Sequence, residues 1–303
     1  MSSLPSLFFD NLLPIIIIAA VGFILQRALQ IDPRGLSRVI FYSFTPAFVF
    51  SILASTDIEV NEMLRMAGLA IVISIIMGVL SFAVCRILKL EPRSTSAFIL
   101  TVAFINAGNY GLSLNSFALG EVGLLWASIF FITSAMMLNS VGVFVATVGR
   151  ASPKEALIGL LKVPSVYAIP LALLVRVNNI ELPHPIWRPI DLIGSAAVPS
   201  MLILLGMQIS RAGLPKRKDL LFASVGLRML VSPLIAWFLA PILGLSGIGR
   251  QAAILQSAMP SAVLATVIAT EYDVEPEFVT GVVLVTTLIS PLTLTPLMAM
   301  LGI

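Results

Sequence analysis

Residues 106–115 read Asn-Ala-Gly-Asn-Tyr-Gly-Leu-Ser-Leu-Asn, midway along an apolar run from Ser96 to Leu119. A run of that length can cross a bilayer, which takes about 20 residues. Its centre nevertheless holds three asparagines and two glycines. Glycine costs about 1 kcal/mol in a helix interior relative to alanine. Asparagine competes with the helix for backbone hydrogen bonds. Any backbone group released at bilayer depth must find a partner in protein or in cavity water.

The composition sets the class. Of 303 residues, 58% are hydrophobic and 11% are charged, and the mean hydropathy is +1.05. A soluble domain carries about 25% charged residues, so the chain reads as an all-α integral membrane protein whose first partner is the lipid bilayer. A net charge of +3 offers no basic surface for nucleic acid. One histidine and one cysteine cannot build a metal centre, and no cofactor is expected. Cys85 sits in an apolar run and reads as packing. Met1 to Pro14 lack a basic segment, so the first apolar run reads as a retained helix rather than a cleaved signal.

Ten transmembrane spans are expected, at 6–26, 37–55, 64–88, 96–119, 123–148, 156–178, 190–210, 219–244, 250–271 and 277–301. The connections are short and insert no soluble domain. Lysine and arginine in connections report orientation. The odd-numbered connections carry Arg27, Arg34, Arg38, Arg86, Lys89, Arg93, Arg150, Lys154, Lys162, Arg211, Lys216, Arg217 and Lys218, thirteen in all. The even-numbered ones carry four: Arg65, Arg176, Arg188 and Arg250. Odd connections are therefore expected in the cytoplasm, with both termini outside the cell membrane. The ninth connection, Glu271-Tyr-Asp-Val-Glu-Pro-Glu277, is acidic and runs against this pattern, though acidic residues count little in it.

The halves echo each other. Pro14 matches Pro170, 156 residues later; Phe44-Thr-Pro-Ala47 resembles Ala197-Val-Pro-Ser200, 153 later; Ala97-Phe-Ile-Leu100 resembles Ala252-Ala-Ile-Leu255, 155 later. A nearly constant offset implies a duplicated unit: a first five-span repeat over 1–150 and a second over 151–303. An odd number of spans makes the second copy enter from the opposite side, as in inverted-repeat transporters. The same offset carries residues 103–107 onto Ala258-Met-Pro-Ser-Ala262. Spans four and nine are thus both interrupted at their centres.

Matched breaks at bilayer depth point to a transporter's binding site. A broken helix leaves N–H groups free at the start of its second half and carbonyls at the end of its first, and the N-terminal end favours anions. Pro260 suits the first turn of the second half of span nine, with Ser257 or Ser261 near the cap. Asn106 or Asn109 suits the cap in span four, where Gly108 and Gly111 allow a turn or a close approach. Met259 completes the second break. Tyr110 suits either stacking on a substrate or interior packing. Asn139 and Ser140 in span five, and Gln256 in span nine, line the site or join helices. The structural alternative is that all of these are kinks and interhelical glue.

At these residues the sequence resembles the auxin efflux carrier family, which includes the plant PIN-FORMED transporters. The most specific stretches are Asn106-Ala-Gly-Asn-Tyr-Gly-Leu-Ser-Leu114, Met259-Pro-Ser-Ala262, Leu13-Pro14 and Thr45-Pro46. The resemblance covers the whole chain and implies a carrier of small organic anions, with substrate where helices four and nine cross. It also implies a scaffold of spans one, two, six and seven, often dimeric, and a transport domain of the remaining spans moving as an elevator. Three departures stand out. The first break here has Asn and Gly where the plant carriers have proline, the loop between spans five and six is about ten residues around Ser152-Pro-Lys-Glu155, and residues 66–85 hold no charge.

Arg228 is the one charge deep inside a span, nine residues after Asp219. Three roles fit: binding the substrate carboxylate, replacing a sodium ion near the crossover, or snorkelling to the cytoplasmic surface. Asp10 reads as an interfacial acid. His184 lies in the outer Pro183-His-Pro185 turn, which leaves an intramembrane serine protease without its base. An enzyme is not expected. The rival readings are a sodium-coupled symporter of similar architecture and a passive anion channel.

Overall fold

The computed structural model describes residues 3–147, 161, 163–213, 215 and 217–303. The fifth connection with Arg150, Lys154 and Lys162, the start of span six, the repeat boundary at 150/151 and Lys216 lie outside them. Among the described residues the regular elements are helices: α1 Leu4–Leu29, α2 Pro33–Ser55, α3 Val60–Ile87, α4 Pro92–Ala103, α5 Ala107–Ala146, α6 Ser165–Val177, α7 His184–Ile209, α8 Lys218–Ile242, α9 Gly247–Ser257, α10 Val263–Glu271 and α11 Pro276–Leu301. Seven of them, α1–α3, α5, α7, α8 and α11, are long and apolar enough to cross a membrane. Side chains such as Leu192, Ile242 and Leu292 are about three-quarters exposed, at 73%, 75% and 76%, as a lipid-facing surface requires.

The stretch expected as span four falls on α4 and the first part of α5, and that expected as span nine falls on α9 and α10. Within α5 the chain kinks at Gly120, whose φ of 68° and ψ of −159° are open essentially to glycine alone.

Prolines shape the long helices. The turns Phe8–Leu12, Ile40–Phe44 and Leu227–Val231 are π-helical, and each ends two residues before a proline: Pro14, Pro46 and Pro233. Proline has no N–H to return to the preceding turn and its ring crowds the carbonyl there. The wider turn absorbs that mismatch without ending the helix.

Contacts between connections sort them into two sets. Arg211 pairs with Asp32 at 3.5 Å, and Arg93 with Asp273 at 2.6 Å. Ser94 also donates to Glu275. These bonds join the first connection to the seventh and the third to the ninth. On the other side, Arg65 donates to the Gly244 carbonyl at 3.3 Å and Arg176 to the Ile58 carbonyl. Odd connections thus meet odd and even meet even. The acidic ninth connection is answered by Arg93.

α1 packs along α7, and α2 along α6. The first pair is close enough to exclude side chains. A methyl group added at Gly206 would lie 1.7 Å from the Ala19 carbonyl oxygen, and one added at Gly22 would lie 1.9 Å from that of Ile203. Backbone must move to admit either. Overpacking of this kind costs about 1–3 kcal/mol, so Gly206→Ala should lower the melting temperature of the purified protein by several degrees, read by loss of the monodisperse peak after heating. Gly35→Ala, with no atom within 4 Å of the added group, is the control that should not lower it.

Candidate functional site

The two interrupted helices cross at their breaks. α4 ends at Ala103, and Phe104 turns to an extended conformation with φ −113° and ψ 135°. α9 ends at Ser257, and α10 begins after Ala262, which is also extended. The Asn106 N–H donates to the Pro260 carbonyl at 2.8 Å, and the Ala262 N–H donates to the Phe104 carbonyl at 3.0 Å. These bonds flank an antiparallel bridge between Ile105 and Ser261, residues 156 apart. Two strand-like fragments thus satisfy each other where neither helix can.

Further bonds lock the crossing. Ser261 Oγ donates to the Thr101 carbonyl at 2.7 Å, and its N–H donates to Thr286 Oγ1 at 3.2 Å. Gln256 is fully buried; its Nε2 donates to the Ala127 carbonyl at 3.1 Å and the Ala107 carbonyl at 3.3 Å. Gln256 therefore joins helices rather than lining a site. Gly111 makes room for it, since a methyl there would lie 2.2 Å from Gln256 Oε1. At Gly108 the neighbour is the Phe131 ring, 2.7 Å from such a methyl.

A cavity of about 140 Å³ opens beside the crossing. One water needs roughly 10–15 Å³ by the same measure, so a small organic molecule has room. The first turns of α5 and α10, Asn106–Asn109 and Ala262–Leu264, both line it. The leading N–H groups of a helix have no carbonyl one turn back, and each such end carries about half a positive charge. Both positive ends therefore face one space. Its other polar walls are Ser37, Thr45, Ser134, Asn139, Ser165 and Gln208; the rest is apolar, with Phe41, Phe131, Met136 and Leu204 among the larger groups. No acidic or basic side chain lines it among the described residues.

Three buried polar atoms on that wall lack a protein partner: Asn106 Nδ2, Ser134 Oγ and Gln208 Oε1. Such atoms are costly to bury unsatisfied. Asn106, only 5% exposed, holds the N-cap position of α5 but makes no side-chain cap bond. Its backbone carbonyl accepts from the Gly111 N–H at 3.0 Å, while the side-chain Nδ2 has no protein partner.

The site residues read from sequence divide. Asn106, Gly108, Asn109 and Asn139 line the cavity; the Asn139 amide donates to the Ala135 carbonyl at 2.8 Å. Tyr110 turns away, accepts a bond from Ser290 at 3.1 Å and borders a second, almost wholly apolar cavity between α1, α7 and α11. Gly111, Ser257, Met259, Pro260 and Ser261 build the crossing and do not reach the cavity wall. Pro260 does not open the second half-helix: it lies inside the break, and neither Ser257 nor Ser261 caps α10. Arg228 is fully buried, bonded to backbone, and absent from the wall; snorkelling is excluded. Ser134 and Gln208 are additions. Each is a polar residue inside an apolar span, and Ser134 lies five residues before Asn139.

Crossed, interrupted helices around a polar-tipped cavity within a helical membrane protein define a membrane transporter. The family model described as "Membrane transport protein" matches residues 7–298, and the chain belongs to that family, the auxin efflux carrier-like transporters. Its relatives carry transporter names, not enzyme names. An "Uncharacterized transporter" of Methanothermobacter thermautotrophicus is 24% identical over 288 residues, covering 93% of this chain and 94% of the relative. A protein of the same name from Methanocaldococcus jannaschii is 24% identical over 297 residues, 93% and 94% of the two chains. A "Putative malonate transporter" of Rhizobium meliloti is 25% identical over 275 residues, 87% and 85% of the two chains.

The unpaired Asn106 amide is the site's most buried free donor. A hydrogen bond to a charged group is worth about 1.5–3 kcal/mol. For a ligand whose charged group takes that amide, Asn106→Ala should weaken affinity about 10- to 100-fold in a calorimetric titration, with little change in melting temperature without ligand, since the amide has no protein partner to lose.

Proposed function

We propose that the protein is a secondary transporter of small organic anions, whose carboxylate binds at the crossing of the two broken helices. The observation that carries this is the convergence of two half-helix N-termini and the free Asn106 amide on one cavity that, among the described residues, no acidic side chain lines. The N–H groups and amides recognise the carboxylate. The apolar walls suit a body that is largely hydrocarbon, so one carboxylate on an apolar or aromatic body fits better than a small dicarboxylate. The name of the Rhizobium meliloti relative supports the organic-anion class.

The finer architecture follows the same reading. The ten spans form two inverted repeats of five, and the 156-residue separation of the bridged Ile105 and Ser261 supports that pairing. The packing of α1 on α7 and α2 on α6 supports a scaffold of spans one, two, six and seven, through which two copies associate as a homodimer. The remaining spans carry the cavity across the plasma membrane by an elevator motion. Odd connections face the cytoplasm and both termini lie outside.

The test is the melting temperature of the purified protein against a panel of anions, including indole-3-acetate, malate and malonate. An aromatic monocarboxylate should raise it saturably, and more than malonate at equal concentration. Stabilisation by malonate alone refutes the apolar-body preference. No response to any carboxylate, together with no saturable exchange of labelled substrate in proteoliposomes, refutes the anion carrier.

A further inference from the structure

Among the described residues, Arg228 is the largest side chain with no exposure at all. It sits in the π-helical turn Leu227–Val231 of α8. No acidic side chain pairs with it: the ion pairs among the described residues are Arg93–Asp273, Arg211–Asp32 and Arg217–Asp219. An unpaired buried charge is strongly unfavourable, so something else must answer it.

The answer is backbone. Nη1 donates to the Val102 carbonyl at 2.8 Å, in the last turn of α4. Nη2 donates to the Ser257 carbonyl at 2.5 Å, the last residue of α9, and also to Ser232 Oγ. Ser232 Oγ in turn donates to the same Ser257 carbonyl at 2.8 Å. The last four carbonyls of a helix have no partner within it, and a helix C-terminus carries about half a negative charge. Two such ends meet at one guanidinium. Their charges sum to about −1, the complement of one monovalent cation.

Transporters of related build hold sodium at unwound carbonyls and half-helix C-termini. We propose that Arg228 is a built-in cation: its guanidinium fills the position between the ends of α4 and α9 that a monovalent ion would otherwise take. It is a positioning residue that does not touch the ligand. It fixes the crossing, and so the two N-terminal ends on the cavity side, without recruiting an ion. Its removal leaves a latent cation site made of the Val102 and Ser257 carbonyls and the Ser232 hydroxyl.

The test needs no substrate, so it stands or falls separately from the anion reading. Melting temperatures of the full-length protein are compared in choline, sodium and guanidinium chloride at equal ionic strength. Wild type should melt alike in sodium and choline. Arg228→Ala should melt about 10 °C lower in choline and recover saturably with millimolar guanidinium or sodium. Arg228→Lys should outrank Arg228→Met; a packing role alone gives the reverse order, because Met fills the space with no charge to bury. A saturable sodium response of wild type, a Met variant more stable than the Lys variant, or an Ala variant indifferent to both cations overturns the proposal. If Arg228→Ala yields no folded protein, the Lys–Met order and the wild-type sodium titration decide.

Discussion

A helix that stops inside a bilayer leaves carbonyls at one end and N–H groups at the other, with no water to receive them. The rest of the molecule is arranged around that constraint, met twice. Between the breaks, the extended residues pair with each other through the Asn106–Pro260 and Ala262–Phe104 bonds. The free carbonyls converge on Arg228. The free N–H ends converge on the cavity. The charge of the backbone is thereby sorted: its negative ends are neutralised by protein, and its positive ends stay available to a ligand.

The surroundings keep this arrangement in register. Ser261 and Gln256 tie each break to its neighbours, and Gly108 and Gly111 let Phe131 and Gln256 approach the backbone. Pro14, Pro46 and Pro233 would end their helices if the preceding turns did not widen. Arg228 lies in one of these widened turns, beside the proline-associated Ser232 that shares its carbonyl partner.

Much of this was legible from residues alone, because the physics was local. Apolar runs predict spans, and the asparagine, glycine and proline residues at 106–111 and 258–262 predict where two of them break. The two breaks meet in the structure, where Ile105 and Ser261 are bridged. What was not legible depends on direction and distance. Pro260 fits a first helical turn by type, yet its carbonyl is needed by Asn106 and the helix starts after it. Tyr110 follows Asn109 directly but points to the opposite side, toward Ser290. Gly22 and Gly206 look like ordinary membrane glycines until α1 and α7 are brought together. Ser134 and Gln208 gain meaning only once the cavity gathers them.

Arg228 also has an electrical consequence. The dipole charges of each half-helix sum to zero, but the guanidinium is a whole charge. In a carrier whose crossing moves relative to the bilayer, the empty form moves that charge, and the form holding a monoanion moves none. One elementary charge taken across the full membrane potential is worth about 2.3 kcal/mol per 100 mV. In such a carrier voltage would act on the return of the empty form and not on the loaded step. A negative cell interior would draw the vacant site toward the cytoplasm, and the potential would set the side on which the carrier waits for its next passenger.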